Sequence, residues 1–444
     1  MEIFEQANEF HRNKQFAEAE KLYDQLLTQN HRHPHLLATV GSLYLETGKT
    51  GLAIALLEAS MHYDKTLRQS DIMANLGMAY YRSGQIEKAK EYLERAIKAE
   101  GASAQAFASY SALFIESGHP EKIIGACEKA IAKNASLPIA HWNMSMALLG
   151  QGNFERGWDE YEWGLESVGM RPNRKIGEKT PYWDGTPGKT VVVYGEQGIG
   201  DEIMFASMLP DLLKTNTVIL ESHKRLKTLF EKSFPVVVHG TREEREPQWP
   251  KDHQIDYRMS IGSLGKYYRR SRAAFPGTPY LKAEPLLPKG KFRVGISWTG
   301  GLKEGRVLKR SVPLSWWKPI LEQRCEFVSL QYTDCDEEID LVNALGYDIK
   351  RFPEVKMEDY YETARLVQSC DLVISVCTSV VHLAGALGVP CWVMTPKNPA
   401  WRYQDTGGMP WYKSVRLYRQ PDTTQDSWFP VIKHIAMDLN ARLV

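Results

Sequence analysis

A self-similarity of about 34 residues runs through the first third of the chain, and it constrains the fold more than any other feature. Aligned on a turn residue, it places Lys14, Gly48, Gly84, Gly118 and Gly152 at successive steps of 34, 36, 34 and 34. Four positions before each turn stands a large apolar residue: Phe10, Tyr44, Tyr80, Phe114, Leu148. Seven before stands a small one: Ala7, Gly41, Gly77, Ser111, Ser145. Five after, Ala19, Ala53 and Ala89 are followed by the variants Ile123 and Gly157; nine after come Tyr23, Leu57, Leu93, Cys127 and Tyr161. Small residues let the two helices of a hairpin approach closely, and bulky ones fill the space between hairpins. A lone hairpin cannot bury its apolar face, so such units must stack.

The pattern resembles the tetratricopeptide repeat (TPR), with five units over residues 1 to about 165. The fourth is degenerate at Ile123 and Cys127, and the third is stretched near Lys65–Ser70. The resemblance implies a concave groove that grips a protein or peptide. The competing reading is a brace or dimerisation arm. Asn75, Tyr110 and Asn143 are groove candidates, and Trp158, Tyr161 and Trp163 are expected to seal the end of the array. Residues 167–189, rich in Pro, Gly and charge, read as a linker.

Beyond the linker the period changes. Thr190–Tyr194 is a β-branched run suited to a buried parallel strand, and a glycine turn and an apolar-periodic helix follow it. Further strands are expected at Thr217–Glu221 and Val236–His239. A second lobe starts at Arg293, with strands at Val294–Trp298, Phe327–Gln331, Leu372–Val376 and Cys391–Thr395, and helices around Ser315–Leu321, Glu337–Leu345 and Asp359–Gln368. This alternation is that of doubly wound sheets. The expected domains are a repeat domain at 1–166, the linker at 167–189, and lobes at 190–288 and 289–444.

Ligands of such sheets bind beyond the carboxyl ends of the strands, and four segments lie there. In Gly195–Asp201 (GEQGIGD) the glycines permit close backbone approach, Gly198 and Gly200 above all, and Asp201 reads as a helix N-cap or as a general base on the cleft rim. In Ser375–His382 (SVCTSVVH), Thr378 and Ser379 open a helix whose N-terminus suits a pyrophosphate, with His382 in the first turn. Lys303, Arg306, Lys309 and Arg310 follow a strand-end turn after Trp298. In a cleft they would neutralise a nucleoside diphosphate in place of a metal. Pro399–Tyr412 offers rings for sugar or base stacking, and Gln197, Trp401 and Arg402 are candidate sugar or base contacts. Asp334-Cys335-Asp336 mimics a metal motif, but among Glu337, Glu338 and Asp340 it reads as a solvated helix start.

A net charge of +1 and 25% charged residues provide no field for nucleic acid or a membrane surface. Six scattered cysteines without a C-x-x-C pair read as a reduced, cytoplasmic protein. The acidic start MEIFEQANEF has no apolar signal core, and no run of about 18 apolar residues could span a bilayer.

The segments GEQGIGDEIMFA, VGISWTGG with RSVPL, and DLVISVCTSVVHLAGALGVPCWVM, together with GNFERGWDEYEW, resemble bacterial TPR proteins fused to a heptosyltransferase-like (glycosyltransferase family 9-like) domain. The resemblance implies an α+α/β chain: an N-terminal TPR α-solenoid followed by a GT-B-like pair of Rossmann-like α/β lobes. The C-terminal lobe would hold the nucleotide-sugar and the N-terminal lobe the acceptor. Transfer would be metal-independent and inverting, with no cofactor beyond the nucleotide-sugar. Asp201 matches the proposed base, and Arg310, Thr378, Ser379 and His382 match the donor-phosphate region. Where the family has V-D-T, this chain has Val376-Cys377-Thr378, which removes a carboxylate that accepts from sugar hydroxyls. The expected function is glycosyl transfer to an acceptor, with a protein such as flagellin or another surface protein implied by the likeness alone. The alternative is a TPR scaffold carrying a catalytically inactive nucleotide-binding module.

Overall fold

A computed structural model describes residues 2–64, 69–115, 117–167, 169–174, 176, 180–300, 310–353, 355 and 358–444. The chain divides into two compact units, Met1–Ala147 and Leu148–Val444.

The first unit is a row of antiparallel helical hairpins: α1 (Glu2–Arg12) with α2 (Phe16–Gln29), α3 (Pro34–Glu46) with α4 (Thr50–Tyr63), α5 (Gln69–Arg82) with α6 (Ile86–Lys98), and α7 (Ala104–Ala112) with α8 (Pro120–Lys133). Helix α9 (Pro138–Gly150) begins the next. The residues that punctuate the repeat all take left-handed backbone conformations, with φ of 59° at Lys14, 80° at Gly48 and Gly84, and 74° at Gly118. Glycine is the low-cost solution there, and Lys14 is the one exception in this unit. The small and the bulky positions of the repeat are two sides of one contact. A Cβ on Gly41 would lie 2.8 Å from Leu57 Cγ, and one on Gly77 would lie 2.6 Å from Leu93 Cγ. Asn75 donates to Ser42 Oγ (2.8 Å) and Asn143 to Ser111 Oγ (3.0 Å). Asn143 is buried. These amides therefore tie each hairpin to the preceding one, and Asn143 is not offered to a groove.

The second unit opens with α10 (Phe154–Tyr161). Trp158 is buried among Tyr161, Phe205, Trp401 and Trp411, edge-on to Trp401 at 5.7 Å. The expected boundary after residue 166 thus falls inside this unit. The segment expected to be a linker is also built into it. Arg171 is buried and donates to Glu196 (2.7 Å), the Tyr161 carbonyl (2.9 Å) and Ser263 (2.7 Å). Trp183 is buried, and Tyr182 bridges to Arg258.

Two all-parallel sheets follow. The first has the order β3-β2-β1-β4, with β1 (Thr190–Tyr194), β2 (Thr217–Glu221), β3 (Val237–His239) and β4 (Tyr257–Ser260). The second has the order β10-β9-β8-β5-β6-β7, with β5 (Arg293–Ser297), β6 (Glu326–Ser329), β7 (Ile349–Lys350), β8 (Leu372–Val376), β9 (Cys391–Thr395) and β10 (Val415–Arg419). Every residue of β5, β8 and β9 is buried, as helices on both faces require. One face packs on the C-terminal helix Trp428–Leu443 through Trp428, Ile432, Ile435 and Leu439.

Candidate functional site

The second sheet has the doubly wound order in which the first strand, β5, and the fourth, β8, lie side by side while their successors run to opposite flanks. Sheets of this order place their ligand crevice at that switch point, beyond the carboxyl ends of the strands. Gly300, after β5, comes so close to the loop after β8 that a Cβ there would lie 3.3 Å from the Cys377 carbonyl and 3.4 Å from Thr378 Cγ2. Gln331 fastens the β5 loop. Its Oε1 accepts from the N–H groups of Trp298 and Thr299, each at 3.1 Å.

Thr378 caps the helix Ser379–Leu387, its Oγ1 accepting from Val380 N–H (3.2 Å). The positive end of that helix faces the crevice. Three guanidinium groups, Arg310, Arg402 and Arg419, are near enough to act on the Cys377 thiol, each pulling its pKa down. Burial outweighs them and pushes the thiol up to about 11, so Cys377 is a neutral thiol, its Sγ 3.8 Å from the Met394 carbonyl. Arg419, which ends β10, was not among the sequence candidates. Its Nη2 donates to the carbonyls of Tyr403, Gln404 and Gly407, while buried Nη1 has no partner among the described residues.

Opposite stands helix α11 (Ile199–Ala206). Its N-cap is Gly198, and Asp201 sits at N3, accepting from Gly198 N–H (3.3 Å). The expectation of Asp201 as the cap is corrected by this geometry: the glycine loop leaves the strand one turn earlier. The second carboxylate oxygen of Asp201 is ion-paired with Arg402, and both side chains are mostly buried. Gly200 packs on the other helix, where a Cβ would lie 3.3 Å from Ser379 Cα and 3.1 Å from His382 Cδ2. The two helices therefore meet at their N-terminal turns, with Asp201 and Arg402 between the two sheets.

Several expected contacts belong to the interior instead. His382 is buried with Nδ1 3.2 Å from the Tyr412 hydroxyl, and burial, helped by Arg402, depresses its pKa to about 3. It is a neutral packing residue and presents no charge to a phosphate. Trp298 is fully buried and donates to Glu338 (2.8 Å), so it supports the β5 loop from beneath. Trp401 is locked in the aromatic cluster with Trp158 and Phe205 and is not free to stack on a sugar. Gln197 donates to the Tyr161 hydroxyl (2.9 Å). Ser379 shares a hydrogen bond with the Tyr360 hydroxyl. Lys303, Arg306 and Lys309 lie outside the described residues.

Next to the crevice, beyond the ends of β6 and β7, is a cavity of about 790 Å³. Gln331, Tyr332, Asp334, Arg351, Tyr360 and Val380 help to line it. Gln331 and Tyr360 connect it to the crevice. The acidic run around Asp334 predicts a solvated helix start. Cys335 does precede the helix Asp336–Ala344, and Arg351 pairs with Asp336 (3.1 Å) and Asp340 (2.7 Å), but Asp334 stands in the cavity wall. Among the described residues no group of three or more His, Cys, Asp or Glu could hold a metal, and no helix is long and apolar enough to cross a membrane.

Residues 44–113 match the family model of the tetratricopeptide repeat. Protein FlbA of Caulobacter vibrioides is 28% identical over 337 residues, which is 68% of this chain and 56% of that protein. The chain thus spans little more than half the length of its curated relative. The matched stretch is longer than the 147-residue first unit and so reaches into the second. Among solved structures the chain is similar to MamA, at 22% identity and a TM-score of 0.29 over 36% of this chain and 92% of that one. It is also similar to a TPR protein of Thermus thermophilus, at 17% identity and a TM-score of 0.34 over 38% and 90%. On its residue pattern and the family match, the N-terminal region is a TPR-like helical array, followed by two parallel-sheet lobes related in part to FlbA.

Proposed function

We propose that the protein is a cytoplasmic glycosyltransferase with GT-B-like lobes, moving a sugar from a nucleotide-sugar to a hydroxyl acceptor. The observation that carries the reading is the Thr378-capped helix start at the switch point, next to a Cys377 thiol that feels the positive charge of Arg310, Arg402 and Arg419. Fixed cationic donors in a partly dry crevice suit a diphosphate whose negative charge grows as it leaves. The nucleoside would occupy the adjoining cavity, with Asp334 in reach of ribose hydroxyls and Tyr332 beside the base.

In this reading the acceptor oxygen attacks the anomeric carbon, the bond to the diphosphate breaks, and the electron pair leaves with the nucleoside diphosphate. The hydroxyl proton passes to Asp201. Asp201 is held by Arg402 in the structure. An incoming diphosphate is a second anion for Arg402 and would loosen its hold on Asp201, so donor binding arms the base. A single displacement inverts the anomeric centre. The TPR groove would present a protein acceptor, for which the resemblance offers flagellin or another surface protein.

The test is to incubate the full chain with a panel of nucleotide-sugars and candidate acceptor protein and to measure nucleoside diphosphate release. Release that falls about a hundredfold or more in Asp201→Ala is expected of a general base. Equal release from that variant removes Asp201 from the role.

A second reading is favoured by the neutral Cys377 and the Asp201–Arg402 pair: a TPR scaffold with an inactive nucleotide-binding module. Nucleotide binding without turnover, together with partner capture by residues 1–147, would select it.

A further inference from the structure

Among the described residues of the second unit, two that are not glycine hold a positive φ, Gln197 and Gln404, both at 59°. For Gln404 ψ is 153°, a region of backbone space that glycine occupies almost alone. Such a conformation is costly for a residue with a Cβ and persists only where its surroundings over-determine it. The two glutamines flank the ion pair between the sheets. Gln197 stands four residues before Asp201, and Gln404 two residues after Arg402.

The same short piece of chain holds them both. Gln404 is 2% exposed, and its Nε2 donates to the Leu149 carbonyl (2.7 Å) and to the Trp401 carbonyl (3.0 Å). Its neighbour Asp405 donates its backbone N–H to the Gly150 carbonyl (2.9 Å). Gly152 leaves the room for this, since a Cβ there would lie 3.2 Å from Gln404 Oε1. Arg419 secures the far side, donating to the Tyr403 and Gln404 carbonyls at 2.9 Å each. Gln197 donates through Nε2 to the hydroxyl of buried Tyr161 at the end of α10 (2.9 Å). Tyr161 carries the Arg171 guanidinium over its ring at 4.2 Å, and Arg171 pairs with Glu196, the residue before Gln197 (2.7 Å). The loops that carry Asp201 and Arg402 are therefore both pinned, each by a strained glutamine, to residues 149–161.

We propose that Gln197 and Gln404 are positioning residues that set Asp201 against Arg402, with residues 149–161 as their common anchor. Asp201 follows the first sheet and Arg402 the second, so an anchor shared by both loops fixes the pair in a way that neither sheet does alone. Neither glutamine touches a substrate in this role. A displacement of about 1 Å at a reacting group can cost about a hundredfold in rate, so the effect of the anchor on chemistry is read in kcat. That effect rests on the reading of Asp201 as the base; the geometry of the pair does not.

The experiment compares the full chain with its Gln404→Ala, Gln404→Gly and Tyr161→Phe variants. Both substitutions at Gln404 delete the tether, but glycine takes a φ of 59° without a Cβ penalty. Gln404→Gly is therefore expected to melt above Gln404→Ala, the reverse of the order at an ordinary position. Tyr161→Phe keeps the ring and deletes the acceptor for Gln197. Hydrogen exchange in residues 195–205 is expected to rise about fivefold or more in Tyr161→Phe and in Gln404→Ala, with the strands unchanged. In nucleotide-sugar turnover, kcat is expected to fall about tenfold in Gln404→Ala with the donor KM unchanged, and to recover in part in Gln404→Gly. Gln404→Ala melting at or above Gln404→Gly overturns the proposal, as does unchanged exchange in residues 195–205 in either variant. Neither readout involves sugar transfer, so a wild type without turnover sinks the proposed reaction and leaves these two to decide the positioning. With turnover in the wild type, an unchanged kcat in Gln404→Ala, or a loss confined to the donor KM, overturns it.

Discussion

Two buried titratable side chains, Glu202 and His382, bias the stability of the second unit in opposite directions along the pH axis. Burial pushes the Glu202 carboxyl up from 4.5 to about 7, against the pull of the Arg242 guanidinium. A raised folded pKa means that the folded state holds the proton more tightly than the unfolded one. The contribution of Glu202 is therefore lost as pH rises from about 4.5 to about 7, at ~1.4 kcal/mol per pKa unit. Glu202→Gln should flatten the fall of melting temperature across that window; an unchanged profile would show that Arg242 keeps the carboxylate ionised throughout. His382 has the reverse sign. Its pKa drops from 6.5 to about 3, so its contribution is full above about 6.5 and is lost as pH falls toward about 3. His382→Gln should reduce the acid-side loss of melting temperature relative to wild type. At Cys377 a neutral thiol supplies no anion to the neighbouring Arg310, Arg402 and Arg419, of which Arg402 is paired with Asp201. Cys377→Asp supplies an anion that competes with phosphate, and the affinity for a nucleoside diphosphate should fall about tenfold, ~1.4 kcal/mol by calorimetry. Tighter binding in that variant would argue against a phosphate role for these arginines.

At the scale of elements, the crevice depends on how closely α11 approaches the helix Ser379–Leu387. Gly200 has almost no room for a Cβ. Gly200→Val should drive the two N-terminal turns apart and destabilise the unit by about 1–3 kcal/mol in chemical denaturation; a neutral result would mean that the helices are free to separate. The repeat turns, with their glycines, were legible because each demands a conformation that other residues resist. The strands Leu372–Val376 and Cys391–Thr395 were legible because a strand buried on both faces needs an unbroken apolar run. Other strands were not. Ile349–Lys350 is two residues long, and Tyr257–Ser260 and Val415–Arg419 carry arginines within the run. The site followed the same rule. Asp201, Arg310 and Thr378 sit in segments whose local pattern marks a strand end. Arg419 does not, since only the pairing of β10 with β9 and β9 with β8 brings it to Cys377. His382, Trp298 and Trp401 had the right residue types at plausible spacing, but burial decides whether such a ring meets a ligand or a core, and spacing is silent on that.

Over the whole molecule, the sequence repeat and the compact units do not end at the same place. The fifth repeat continues to Tyr161, yet α10 is part of the second unit, with Phe154, Trp158 and Tyr161 each at most 2% exposed. A chain cut at Leu148 should fold and melt cooperatively. One cut at Ser167 loses all three rings, each worth about 3–5 kcal/mol by analogy with large-to-small core substitutions, and should be largely unfolded by circular dichroism. Cooperative melting of the shorter chain would show that α10 is dispensable. The proposed chemistry depends on an anion site at the switch point of the second sheet. The most direct measurement is calorimetric titration of the full chain with a set of nucleoside diphosphates, repeated on Arg419→Ala. At least one is expected to bind, and Arg419→Ala to weaken it about tenfold or more, ~1.4 kcal/mol. Absence of binding by every member of the set, or affinity untouched by the loss of Arg419, would contradict it.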